Sequence, residues 1–182
     1  MSDSNASPAV PPRIVVVGGG AGGLELATRL GRKLGRKGKA RITLVDANMT
    51  HIWKPLLHEV AAGSLNSTED ELNYVAQGKW NHFAFQLGAM TGLDRERRTI
   101  QLAAIQDEKG VELIAPRELD YDYLVIAVGS TTNDFNTPGA AEHCLFLDTR
   151  AQAERFHRHL LNQYMKAQAS ERGAAREPIN VA

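Results

Sequence analysis

Between Arg13 and Val17 the chain reads RIVVV, four consecutive β-branched positions after one arginine, the pattern of a strand covered on both faces. It runs into a cluster of five glycines: Gly18, Gly19, Gly20, Gly22 and Gly23. The periodicity then changes. Ala27, Leu30 and Leu34 fall on one side of a helical wheel, with Arg29, Arg32 and Lys33 on another, predicting a helix from Ala21 to Leu34. GRKGKAR closes that helix as a basic surface turn, with contact to an anionic lipid as the alternative. RITLVD reads as a second strand, ending at Asp46.

In HIWKPLLHEVAAG, Pro55 suits the first turn of a helix, where a missing N–H is harmless, and Gly63 suits its end. Thr68 and Glu71 stand at capping-box spacing, predicting another helix from near Glu69. Phe83 to Leu87 is a short strand candidate. From Met90 to Ser130 no amphipathic stretch is long enough for a crossover helix, and turn signals recur at DRERR and DEKG. The pattern predicts a β-meander ending in a fully buried strand, Tyr123 to Gly129. A last helix follows, with Asp148 as its N-cap and Ala153, Phe156, Leu160 and Tyr164 as its apolar stripe. ERGAAREP is a linker, and INVA resembles the first residues of a further strand.

Composition fits a packed globular chain: 43% of the 182 residues are hydrophobic and 23% charged. The 21 basic residues balance 21 acidic ones, which gives no bulk electrostatic support for nucleic-acid binding. No window approaches the ~18 apolar residues of a membrane span. The first twelve residues, a polar lead predicted to be disordered, lack the basic and apolar regions of a secretion signal. Cys144 is the single cysteine, so no disulfide forms within the chain and a reduced, cytosolic setting fits. One thiol also excludes electron relay through a cysteine pair. Cys144 lies in HCLFL and reads as a small buried hydrophobe. The six histidines show no metal-ligand spacing, and no metal site is expected.

Gly18, Gly20 and Gly23 form a G-x-G-x-x-G fingerprint between a buried strand and a helix. The first glycine serves the tight turn, the second lets backbone approach a pyrophosphate, and the third lets helix and strand pack closely. Backbone N–H groups near Ala21 and Gly22 would face the anion at the helix N-terminus. Asp46 follows Gly23 by 23 residues, near the ~20 expected of a ribose-binding acid. Its carboxylate disfavours a 2′-phosphate; a strand-end turn former is the alternative. The expected fold class is α/β, a Rossmann-like FAD/NAD(P)-binding fold with a parallel sheet and a β-meander crossover, incomplete at its C-terminal end.

Several segments together resemble type II (non-proton-pumping) NADH dehydrogenases, flavoproteins that pass electrons from NADH to quinone. They are VVVGGGAGGLELATRLGRKLGRK, ITLVDANMTHIWKPLLHEVAAGSL, FQLGAMTGLDRERRTI and YDYLVIAVGSTTNDFNTPG. The resemblance implies FAD at the glycine turn, with Gly18, Gly20, Ala21 and Gly22 along its pyrophosphate and Asp46 on the adenosine ribose. It brings Lys54 and Pro55 toward the flavin, the Met90 backbone to the adenine, and Ala127 and Gly129 over the cofactor. Lys54 reads equally well as an exposed lysine at a helix start, and Gly129 as a plain turn glycine.

Family members continue into a second glycine fingerprint for NADH, further flavin contacts and a membrane-associating region. The expected organisation is therefore a lead (1–12), a partial FAD-binding domain (13–170), a linker (171–178) and the start of an NADH-binding domain (179–182). The expected function is the FAD-binding segment of a respiratory NADH:quinone oxidoreductase, working at the cytoplasmic face of the membrane. NADH and quinone would be partners of the complete enzyme, and no catalytic residue is assigned. The alternatives are an FAD-dependent NADH reductase of a small redox protein, or an inactive fragment with weak flavin binding.

Overall fold

A computed structural model describes residues 10–51, 53–65 and 71–170. The elements in chain order begin with β1 (Arg13–Val17), α1 (Ala21–Lys33), β2 (Arg41–Asp46), β3 (Thr50–His51) and α2 (Leu57–Ala62). There follow β4 (Leu72–Asn73), α3 (Tyr74–Asn81), β5 (Ala84–Leu87), β6 (Met90–Asp94), β7 (Thr99–Leu102) and β8 (Ile105–Gln106). The last are β9 (Glu112–Ile114), β10 (Arg117–Asp120), β11 (Tyr123–Ile126), α4 (Ala140–His143) and α5 (Arg150–Ser170). They divide into two compact units, one formed by Met1–His51 with Leu72–Gly129, the other by Ile52–Glu71 with Ser130–Ala182.

The first unit centres on a parallel sheet in the order β11-β1-β2-β5. β1 and β2 are the central strands, which is why both faces of each carry apolar residues: Val15, Val16, Val17, Leu44 and Val45 are all buried. One face carries Leu24 and Ala27 of α1, with Tyr74 and Phe83. On the other, Val15, Val17 and Val45 pack with Ile100, Leu102 and Tyr121 of the meander, whose antiparallel core runs β10-β7-β6. α1 packs beside α3, whose buried Asn81 is satisfied by donating to Gln77 and accepting from Arg32 Nε at 2.7 Å. Arg13 ties the start of β1 to the meander's exit, donating its N–H to Asp122 at 2.7 Å and its guanidinium to Asp120 and Asp122.

Two expectations for this unit need correction. The strand after the meander spans Tyr123–Ile126 rather than continuing to Gly129. Nor is it fully buried, since Tyr123 is 63% and Ile126 54% exposed. β11 is an edge strand, paired with β1 alone among the described residues, so apolar composition did not secure its cover. The helix expected near Glu69 begins at Tyr74, because Asn73 is the residue whose side chain caps it, accepting from the N–H groups of Val75 and Ala76. Thr68 and Glu69 lie outside the described residues, as do the proposed linker (171–178) and INVA segment (179–182).

The second unit is helical. Pro55 sits in a short 3-10 turn, Lys54–Leu56, leading into α2, and Gly63 ends α2 with φ 78°. Leu57, Val60 and Ala61 of α2 bury Ala153 of α5, with Leu65, Leu147 and Phe156 around them. Thr149, not Asp148, caps α5: its Oγ1 accepts from the Gln152 N–H at 3.3 Å, while Gln152 Oε1 accepts from the Thr149 N–H at 3.0 Å. Asp148 is turned away to other donors. The apolar stripe of α5 is core only at its start, for Tyr164 is 55% exposed. Cys144 is exposed rather than buried, because 141–145 pack on no apolar cluster.

Candidate nucleotide-binding site

The glycine turn joins β1 to α1, and its shape follows from what lies against it. Gly18 has φ 100°, donates its N–H to Val45 O at 2.8 Å, and leaves no room for a side chain: a Cβ there would stand 2.5 Å from Ala127 O. A Cβ on Gly23 would stand 1.8 Å from Gly18 O and 3.3 Å from the Ala127 methyl. Gly18, Gly23 and Ala127 are thus one packing unit, which is how helix and strand come so close. Ala127 is held there by its N–H, which donates to Val17 O at 2.7 Å.

Gly20 and Gly22 are different. A Cβ on either would meet nothing within 4 Å, and both are exposed together with Ala21. Gly20 is the N-cap of α1, with no capping side chain and no acidic residue in the first turn. The helix therefore presents its first N–H groups and the positive end of its dipole with no carboxylate of its own to neutralise them. This is the chemistry of an anion cradle, open on the side where a ligand would lie.

Asp46, at the end of β2, reaches this loop. Its Oδ2 accepts from the Gly19 N–H at 2.6 Å, and its Oδ1 from the Asn48 N–H at 2.8 Å and Asn48 Nδ2 at 3.2 Å. The turn-forming reading of Asp46 is thus present in the structure. A carboxylate has about four acceptor positions, so capacity for hydroxyl donors remains. On the other side of Gly19, the buried Tyr74 hydroxyl donates to Gly19 O at 2.7 Å. The Tyr74 ring stacks on Phe85 with centroids 5.1 Å apart, and His51 lies 6.3 Å away. Burial, with Asp46 second, pushes the Tyr74 pKa well above its ordinary value, so the phenol stays a donor. Burial lowers the His51 pKa, against the opposing pull of Asp46.

The remaining expected site residues are placed as follows. Met90 opens β6 opposite Leu102, half-buried against the Ile100–Leu102 cluster, with a bulge before Gly92. The turn leading to it is tied to the end of β2, because Gly88 donates its N–H to Asp46 O at 2.8 Å. Gly129 has φ 75° with open space around it, the conformation a turn glycine needs. Lys54 and Pro55 belong to the second unit. There Lys54 Nζ donates to Ser130 O at 2.6 Å and lies 3.6 Å from Asp148 Oδ1. Asp148 also accepts from the Thr132 N–H at 2.9 Å, and this contact first, then Lys54, holds its pKa below the ordinary carboxylate value.

Sequence reasoning missed Tyr74. A lone tyrosine after Asn73 carried no periodic signal, and only the Asn73 cap hinted that the residue starts a helix. With the glycine turn, Asp46 and the meander in view, the class is defined: a profile of the pyridine nucleotide-disulphide oxidoreductase family matches residues 12–171, and the chain belongs to that family. Within it, the chain is 51% identical over 153 residues to the type II NADH:quinone oxidoreductase of Haemophilus influenzae, covering 84% of this chain and 34% of that protein. It is 29% identical over 160 residues to the protein of the same name from Staphylococcus epidermidis, covering 87% of this chain and 36% of that one. The chain thus spans about a third of the length of the curated relatives it matches. The solved structure of NDH2 from Plasmodium falciparum in complex with NADH superposes with a TM-score of 0.69 at 23% identity, covering 86% of this chain and 30% of that one, a likeness of fold.

Proposed function

We propose that this chain is the FAD-binding segment of an NADH:quinone oxidoreductase. The open cradle at Gly20 and Gly22, beside a carboxylate at the end of β2, is the observation that carries the reading. On it, the N–H groups of Gly20, Ala21 and Gly22 receive the pyrophosphate. Gly18, Gly23 and Ala127 keep the loop close enough to do so. Asp46 accepts from the ribose hydroxyls and disfavours a 2′-phosphate by charge, while the Met90 backbone meets the adenine. Gly129, Lys54 and Pro55 are assigned to the flavin by the family resemblance. The flavin-binding domain spans 13–170.

When bound, FAD supplies hydride acceptance from NADH and electron delivery to quinone. The chain's own residues bind and orient it, and the 51% identity to a type II NADH:quinone oxidoreductase supports those substrates. No helix among the described residues is long and apolar enough to cross a membrane. A peripheral position at the cytoplasmic face, in a respiratory chain, is part of the same proposal. Titrating the purified chain with FAD tests it: quenching of flavin fluorescence at micromolar concentration is expected. Absence of flavin from the purified protein, with no binding of added FAD, overturns the reading.

A further inference from the structure

The orientation of the glycine turn rests on two side chains that grip Gly19 from opposite ends of its backbone. Tyr74 Oη donates to Gly19 O at 2.7 Å, and Asp46 Oδ2 accepts from the Gly19 N–H at 2.6 Å. Peptide units are planar and trans, so a carbonyl and the following N–H point in opposite directions. Fixing Gly19 C=O toward the buried phenol therefore turns the Gly20 N–H away from it and from the core. Fixing the Gly19 N–H toward Asp46 likewise turns Gly18 C=O the other way. That outcome is visible, because a Cβ on Gly23 would stand 1.8 Å from the Gly18 oxygen.

Tyr74 is built to hold one orientation. It is 2% exposed, is among the largest fully buried side chains, and stacks on Phe85 at an interplanar angle of 29°. Its phenol also fills the space a side chain on Gly19 would need, with Cζ and Oη each 2.4 Å from such a Cβ. Position 19 lies outside the G-x-G-x-x-G pattern, yet the ring gives it a reason of its own to be glycine.

We propose that Tyr74 is a positioning residue for the nucleotide's phosphates: its buried hydroxyl orients the Gly19–Gly20 peptide so that the Gly20 N–H is presented to the pyrophosphate. The proposal rests on the cradle being a nucleotide site. It predicts that Tyr74 acts on phosphate recognition and leaves the adenosine part alone.

The test is an NMR titration of the full chain and its Tyr74→Phe variant, which keeps the ring, with ADP and separately with adenosine. ADP affinity should fall about tenfold, the scale of one lost hydrogen bond to the orienting carbonyl, while adenosine affinity stays within about twofold. In the unsubstituted chain the Gly20 amide resonance should move on adding ADP and stay in place on adding adenosine. This second readout holds even if the variant fails to fold. Equal ADP affinity in variant and parent, parallel loss of both ligands, or a Gly20 amide indifferent to ADP each overturns the role of Tyr74. A parent chain that takes up neither ligand overturns the nucleotide reading itself, and the proposal with it.

Discussion

Two ways of holding a backbone coexist in this chain. In the first unit, Val15, Val16, Leu44, Val45, Ile100 and Leu102 are each at most 1% exposed, and every central strand is paired on both sides. In the second, the buried apolar residues among those described are Leu57, Val60, Ala61 and Ala153, beside ion pairs and hydrogen bonds at its surface. Arg150 bridges Glu71 and Glu154, and Lys54 bridges Ser130 and Asp148. Partly exposed pairs of this kind are worth about 0–1 kcal/mol each. The glycine turn is part of the first unit, so the cradle sits on rigid neighbours, whereas Lys54 stands on the unit with less to hold it.

The largest expected effect is that of Gly23→Ala, whose added methyl would overlap the Gly18 carbonyl, a backbone atom that cannot swing aside. Overlap with a fixed backbone atom should exceed the ~1–3 kcal/mol of ordinary overpacking and reach about 5 kcal/mol or more, read as a lowered urea midpoint. Next comes the direct comparison of the units by one chemistry. Leu44→Ala and Leu57→Ala both delete a buried isopropyl group, from side chains 0% and 3% exposed. Both fall within the range of about 2–5 kcal/mol, with Leu44 at its upper end, because its site is walled by strands and cannot collapse. Equal losses would break the contrast between the units.

Titration gives a smaller effect, followed at two groups of the first unit. The His51 pKa is lowered by burial, so His51 contributes stability above its ordinary value of about 6.5 that is lost as pH falls through the lowered value. The Tyr74 pKa is raised, so its contribution is complete below the ordinary tyrosine value of about 10 and is lost as pH rises beyond it. Asp46→Asn removes the charge that opposes the His51 shift, and the NMR midpoint of His51 should move further down. An upward movement would remove Asp46 from the account.

Lys54→Ala should change stability by less than about 1 kcal/mol, as expected of an exposed pair. Smallest of all, Cys144 is exposed and should react with a maleimide in the native state, with mass spectrometry finding one label per chain and no loss of fold. Protection of Cys144 would mean that the second unit is better packed than its contacts indicate.

Much of the first unit was legible because its signals are local. Arg13–Val17 and Arg41–Asp46 are short β-branched-rich segments bounded by turns, and they fold as the strands those patterns predict. α1 begins at Ala21 as expected and ends one residue early at Lys33, with Leu34 as its cap. The absence of a crossover helix after Met90 was equally readable, since a meander needs only turns and short apolar runs. The errors were of another kind. Tyr123–Ile126 has the composition of a central strand, yet among the described residues strand order puts it at an edge. Asp148 has the chemistry of an N-cap, but Thr149 and Gln152 form the reciprocal pair, and Asp148 answers to Thr132 and Lys54 instead.

By itself the sequence determined where the backbone turns and why: glycines at 18, 20 and 23, an acid at 46, and apolar periods that change from strand to helix. Those features depend on neighbours a few residues apart, where sterics and hydrogen bonding act directly. Only the tertiary structure decided which residues hold the turn in its working orientation. Tyr74 reaches Gly19 across 55 positions and Ala127 meets Gly18 across a parallel pair of strands. Such contacts depend on strand order and burial, which no local period encodes. The cradle was therefore readable as a pattern, and the grip on Gly19 that orients it was not.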